Sequence, residues 1–134
     1  MKRVPLLVVL SLLCLLVAAP AVQAAKPTPF AGAWTGNDPA PPDGDGSLMY
    51  LFISGGANAH ILFIDTFGTI CVNNDAPTTL FVGSLKGTVT GDTLAASFKW
   101  ARCGPVFLDV DPITWTYDST SDTISDSIVT WHRL

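Results

Sequence analysis

The sequence predicts an all-β fold, an antiparallel up-and-down meander of eight or nine strands. A small closed barrel is the favoured architecture, with a two-sheet sandwich as the alternative. Three observations carry this reading. All eleven acidic residues are aspartate and none is glutamate; aspartate favours turns and caps, glutamate favours helices. Threonine, valine, isoleucine and aromatic residues fill the segments between those aspartates, which is the composition of strands. No window beyond the opening apolar run sustains a helical period.

The first 24 residues read as a leader rather than as fold. Lys2 and Arg3 precede an apolar run from Val4 to Ala19. Pro20 ends the run, and Val22-Gln23-Ala24 offers small or modest side chains where a signal peptidase reads. Export with cleavage between Ala24 and Ala25 is the expectation, giving a secreted, extracellular or cell-envelope domain. A membrane anchor is the competing reading. The run falls short of the roughly 20 apolar residues a span needs, and no basic stop signal follows. Cys14 lacks the preceding small residue of a lipoprotein signal. The expected organisation is therefore a leader over 1–24, a short tail over 25–29, one β domain over 30–134, and no membrane span after cleavage.

Loss of Lys2 and Arg3 leaves five basic residues against eleven acids, a net charge of −6. That balance excludes a generic nucleic-acid surface, which needs a basic footprint. It also argues against docking on anionic lipid. Cys71 and Cys103 are the remaining cysteines. An even pair in an exported domain reads as a disulfide. Without C-x-x-C spacing, a zinc site is disfavoured.

Phe30–Gly36 reads as a short strand with Phe30, Gly32 and Trp34 on one face. Asn37–Gly46 is a loop of prolines, aspartates and glycines. Ser47–Ser54 and His60–Asp65 are apolar runs joined by Gly55-Gly56-Ala57-Asn58, the spacing of a hairpin. Both runs are apolar on both faces, which suggests two-sided burial or an oligomer contact. Thr79–Cys103 is a second hairpin turning at Gly91-Asp92. That turn sets Val89 opposite Leu94, Gly87 opposite Ala96, Leu85 opposite Phe98 and Gly83 opposite Trp100, with Trp100 inward. Lys86, Thr88, Ser97 and Lys99 then face solvent. Val106–Val110 and Ile113–Tyr117 follow, separated by Asp111-Pro112. After a turn over 118–122, Thr123–Arg133 is the last strand. Nothing forces a helix.

Two resemblances can be set on these residues. Trp34, Asp45-Gly46-Ser47, Cys71, Gly91-Asp92-Thr93-Leu94, Cys103, Tyr117-Asp118, Asp122-Thr123-Ile124 and Trp131-His132-Arg133 follow in order. The pattern resembles an uncharacterised small secreted domain of environmental bacteria, found alone or within larger surface proteins. It implies export and organisation but no chemistry. Gly32-Ala33-Trp34 and Trp131-His132-Arg133 also resemble the ends of lipocalin-like and avidin-like (calycin) barrels. That resemblance implies that Trp34 and Arg133 pack together and close the barrel base. A guanidinium stacked on an indole face supplies the physical reason.

The catalytic inventory is thin. His60 and His132 are the only histidines, and no G-x-S-x-G, H-E-x-x-H, Walker or G-x-G-x-x-G motif occurs. No catalytic residue or cofactor is expected. Asp43 and Asp45, in Asp43-Gly44-Asp45-Gly46-Ser47, are a weak calcium candidate; an EF-hand needs a glutamate at its twelfth position, where Ser54 stands. Trp34, Phe98, Trp100, Trp115, Trp131 and Arg133 are the candidate pocket or core residues. The expected function is that of a non-enzymatic exported binding domain for a small apolar ligand in a barrel mouth. A structural or adhesive surface module is the alternative, with an unidentified small molecule or surface partner. A hydrolase has no motif behind it.

Overall fold

A computed structural model describes residues 27–39 and 44–134. The leader over 1–24, the start of the tail and Asp43 lie outside the described residues. The elements run β1 (Gly32–Asn37), β2 (Leu48–Gly55), β3 (Asn58–Asp65), α1 (Thr69–Asn73), β4 (Phe81–Thr90), β5 (Thr93–Cys103), β6 (Val106–Leu108), β7 (Ile113–Asp118), β8 (Thr123–Ser125) and β9 (Thr130–Arg133). All strand pairs are antiparallel. Neighbours follow the chain from β1 to β5; β5 then pairs β7, and β7, β8 and β9 lead back to β1. This is a closed eight-stranded barrel, with β6 as a ninth strand laid along the far half of β5. Closure removes exposed strand edges from the circuit.

The β4–β5 hairpin shows how far a turn can set register. Gly91-Asp92 forms the turn, with Gly91 at φ +57°. Val89 faces Leu94, Gly87 faces Ala96 and Leu85 faces Phe98, as the turn dictates. A bulge between Ser84 and Leu85 then shifts the ladder, so Ser84 faces Trp100 and Gly83 faces Ala101. The expected Gly83–Trp100 pair and inward Trp100 are therefore corrected. One extra residue reverses inside and outside along the rest of a strand. Ala101 is buried, and Trp100 stands 37 % exposed on the outer wall. The space beside Gly83 is filled by the Phe98 ring, which a Cβ at position 83 would strike.

Two further elements depart from the sequence reading. A one-turn helix, α1, carries Cys71, although no helical period announces it. The expected last strand is divided into β8 and β9 by a turn at Asp126, whose Oδ1 accepts from the amides of Ile128 and Val129, both at 2.8 Å. The apolar runs β2 and β3 resolve into an inward face of Met49, Leu51, Ile53, Ala59 and Ile61 and an outward face that includes Phe52 and Leu62. The barrel's middle is filled. Trp34, Leu51, Leu85, Leu94, Trp115, Ile124 and Trp131 are buried in one cluster. Phe81, Ala101, Cys71 and Cys103 form a second.

Cys71 and Cys103 are bonded, with Cα atoms 5.6 Å apart. The bond ties α1 to the end of β5.

The opposite end of the barrel is closed by Arg133. Its guanidinium lies 4.0 Å from the Trp34 ring centroid. Nη1 donates to the Ala31 carbonyl and Nη2 to the Pro29 carbonyl, both at 2.9 Å. Nε and Nη2 also form a two-point contact with the Asp122 carboxylate at 2.9 Å, the stronger kind of charged hydrogen bond. Gly32, at φ +141°, admits this approach, since a Cβ there would sit 2.7 Å from Nη1. The Trp34 indole N–H in turn donates to the Phe30 carbonyl at 2.8 Å.

Cys71 and Cys103 should resist thiol reagents until a reductant is added. Their joint replacement by alanine should cost roughly 3–4 kcal/mol by the chain-entropy account. That loss is readable as a fall of about 10 °C or more in Tm; a shift within experimental error would remove the bond from the stability of the fold. Asp122 predicts a pH effect. Hydrogen bonds from Arg133 hold its carboxyl below the ordinary value of 3.8, assisted by Tyr117 and opposed by partial desolvation. A carboxylate lowered in the folded state contributes fully above its unfolded pKa and less as pH falls through the folded value. Asp122→Asn should therefore lower Tm at neutral pH and flatten its decline below about pH 4. An acid limb identical to wild type would contradict this coupling.

Candidate functional site

The end of the barrel away from Arg133 is open. It is built where β1 ends, β2 begins, β6 passes to β7 and β8 turns into β9. A cleft of about 670 Å³ lies there. Its apolar lining includes Met49, Phe63, Ile113, Val129, Trp115 and Trp131. Val110 and Pro112 come from the β6–β7 connection, and Ile128 from the Asp126 turn. Asp38, Asp111 and Asp126 supply the carboxylates.

Each wall has a local cause. Met49 is inward by alternation on β2. Phe63 stands edge-on to Trp131, with centroids 5.8 Å apart, and edge-on to Phe81 at 5.5 Å. Phe81 meets Phe98 at 6.0 Å, so a chain of rings links the cleft to the disulfide cluster. The Asp126 turn positions Val129 and Ile128, and its Oδ2 accepts from the Trp131 indole N–H at 3.4 Å. Trp115 is buried, and its Nε1 finds no acceptor in the protein. Leaving a buried N–H unpaired costs about 1–3 kcal/mol.

The cleft is electronegative. No Lys, Arg or His lines it. Burial raises the Asp38 pKa from its ordinary value; the Asp45 amide opposes this, while the Asp45, Asp65 and Asp126 carboxylates add to it. Among the described residues, no group of three or more His, Cys, Asp or Glu is arranged to hold a metal ion. The lining also lacks a cysteine and a basic side chain to activate a nucleophile. Its surface is an apolar floor with a carboxylate rim.

The sequence-selected residues divide among four places. Trp115 and Trp131 line the cleft. Trp34 and Arg133 close the other end, in the contact that the calycin-like ends implied. Phe98 packs in the wall against both buried clusters. Trp100 faces outward and belongs to neither pocket nor core. Of the calcium candidates, Asp43 lies outside the described residues. The Asp45 carboxylate accepts from the Ser47 amide and the Thr69 hydroxyl, both at 2.8 Å. Partial desolvation raises its pKa, but these hydrogen bonds outweigh it and the net shift is downward. His60 and His132 lie on the outward faces of β3 and β9. Sequence reasoning missed Met49, Phe63, Ile113 and Val129 as lining residues. The one available signal was the Asp111-Pro112 break, which releases β7 from β6 beside the opening.

No family model, no curated protein and no solved structure matches this chain.

Trp100→Ala should change stability by less than about 1 kcal/mol, as a surface substitution does. Trp131→Ala should cost about 3–5 kcal/mol, because it leaves a cavity in a filled interior. Urea denaturation of the two variants checks the contrast. Equal large losses would return Trp100 to the core.

Proposed function

We propose that this chain is a non-enzymatic binding barrel whose open end takes a small apolar molecule. The observation that carries the reading is the apolar cleft at the open end of the barrel, with Trp115 and Trp131 in its lining. Its volume of about 670 Å³ lies within the usual range for small-molecule sites. One end of the barrel is closed by Arg133 and the middle is filled, so an occupant enters from the opposite end only. An apolar body fits the Met49, Phe63, Ile113 and Val129 surfaces. The carboxylate rim disfavours an anionic ligand. Export, expected from the leader, suits a domain that meets such molecules outside the cytoplasm.

The test uses the chain from Ala25 onward, which includes every element of the barrel. Neutral apolar probes, beginning with phenylnaphthylamine, are titrated while tryptophan emission is followed. Saturable quenching is expected. Ile113→Trp, which places a ring in the cleft, should weaken it at least about tenfold while the circular dichroism spectrum is kept. Phe107→Asp, on the outer wall, should leave it unchanged. Absence of saturable binding across a neutral panel, or binding indifferent to Ile113→Trp, would overturn the reading.

A further inference from the structure

The outer wall over β1–β5 and β6 is chemically unlike the rest of the barrel. Register aligns its outward residues in two rows. One row holds Phe52, Leu62, Ser84 and Trp100. The next holds Tyr50, Ile64, Val82, Arg102 and Phe107. Phe52, Leu62 and Phe107 are 42 %, 38 % and 70 % exposed. A shallow groove runs across the first row, lined by Phe52, His60, Leu62 and Ser84. Isolated exposed apolar residues need no explanation, but rows of them in contact across adjacent strands mark an interaction surface.

Cations outnumber acids on this wall three to one, the acid being Asp109, exposed directly after β6. Lys86, Lys99 and Arg102 are exposed on β4 and β5. The Arg102 guanidinium lies 5.3 Å from the Trp100 ring centroid. No outward position of β1–β5 is acidic. Asp65, the single acid in those strands, is buried and accepts from the Ser47 hydroxyl and the Phe67 amide. Asp92 lies in the β4–β5 turn, and Asp109 directly follows β6, where the register carries it alongside Trp100. Charges separated by more than about 8–10 Å are largely screened at physiological ionic strength. Three local cations against one local acid, not the net charge of −6, therefore set the field at this wall.

We propose that this wall docks the barrel onto an anionic lipid surface. Three features favour lipid over a protein partner. Each of β1–β5 has a hydrogen-bonded neighbour on both sides, and the free edge on this wall is that of the three-residue β6, which offers little ladder for strand addition. Trp100 and Tyr50 bring amphipathic rings to an apolar surface flanked by cations, which is the chemistry of the membrane–water interface. The stems of Lys86, Lys99 and Arg102 can lie along that surface while their heads reach phosphates. A second copy of the chain seated on the same wall would bring three cations against three, with Asp109 of each copy as the one acid to offset them.

Trp100 makes the proposal directly readable. Trp34, Trp115 and Trp131 are buried, so Trp100 is the ring that solvent reaches. The chain from Ala25 onward is mixed with vesicles of phosphatidylcholine alone, or of phosphatidylcholine and phosphatidylglycerol in equal parts. Omitting the leader keeps its apolar run from contributing. Co-sedimentation with the anionic vesicles is expected, with a blue shift in emission and quenching by brominated acyl chains. Added salt should reverse it. Lys86→Gln should weaken binding about fivefold, and Phe107→Asp at least about tenfold. Trp100→Phe should keep binding and lose the spectral change. Equal binding to both vesicle types would overturn the proposal, as would binding unaffected by Phe107→Asp. Absence of vesicle binding would also overturn it. A Phe107-dependent dimer in gel filtration, without vesicle binding, would assign the wall to a second copy instead.

Discussion

The barrel is completed through its shortest seam. β1 meets β9 in only two residue pairs, Trp34 with Arg133 and Thr35 with His132. Every other consequence of closure depends on that contact, including the loss of edges from the eight-stranded circuit and the separation of inside from outside. The seam joins segments about one hundred residues apart, and closing such a loop costs about 4 kcal/mol of chain entropy beyond a constant. So short a ladder, even with the Leu134 N–H donating to the Ala33 carbonyl at 2.9 Å, does not offset that comfortably, since each backbone bond nets about 1 kcal/mol. Arg133 adds what the ladder lacks. It stacks on Trp34, binds two carbonyls of the segment leading into β1 and holds the Asp122 carboxylate after β7. One side chain thus fastens three parts of the chain at the same end of the barrel.

That arrangement accounts for the asymmetry of the molecule. With Phe30, Trp34 and Arg133 occupying one end, side chains from all sides can meet in the middle, where Leu51, Leu85, Leu94 and Ile124 pack. At the other end, the walls are set by connections rather than by ladders. The Asp126 turn, the Asp111-Pro112 segment and the loop after β1 stand around an opening. Turns satisfy their own backbone groups through aspartate side chains, as Asp126 and Asp45 do here. Carboxylates consequently gather where turns gather, and the rim becomes acidic for a structural reason before any binding is considered.

How much of this was legible in the sequence follows from which signals are local. The Gly91-Asp92 turn fixes its hairpin because a two-residue turn determines register within a few residues, and the pairs hold from Thr90–Thr93 to Leu85–Phe98. The bulge beyond them left no comparable mark. Gly83 is followed by the run Phe98-Lys99-Trp100 on the facing strand, and the choice between Phe98 and Trp100 for the space beside that glycine is made by three-dimensional packing against Phe81. Helix α1 was hidden for a related reason. Five residues cannot display a period, and its position is held by the Cys71 bond and by Thr69 on Asp45. The open end was least legible, since its lining is drawn from β2, β3, β7, β9 and three connections. Trp115 and Trp131 could be singled out by residue type. Met49, Ile113 and Val129 could not, because nothing in their neighbourhood distinguishes a residue beside a cleft from one in a filled core.

The same bulge reconciles an acidic chain with a cationic wall. Had register continued unbroken, Trp100 would face inward and the outward pattern of β5 would change beyond Phe98. Instead Lys99, Trp100 and Arg102 stand outside together, beside Lys86 on β4. The acids, Asp109 excepted, cannot follow them there, because this chain places nearly all of its aspartates in turns and connections, and long hairpin strands contain few turns. Segregation of charge is then a consequence of topology: strands carry the lysines and apolar side chains, while barrel ends carry the carboxylates. Net charge averages over these two regions. Screening over about 8–10 Å does not. The wall and the rim therefore differ in field on one small protein.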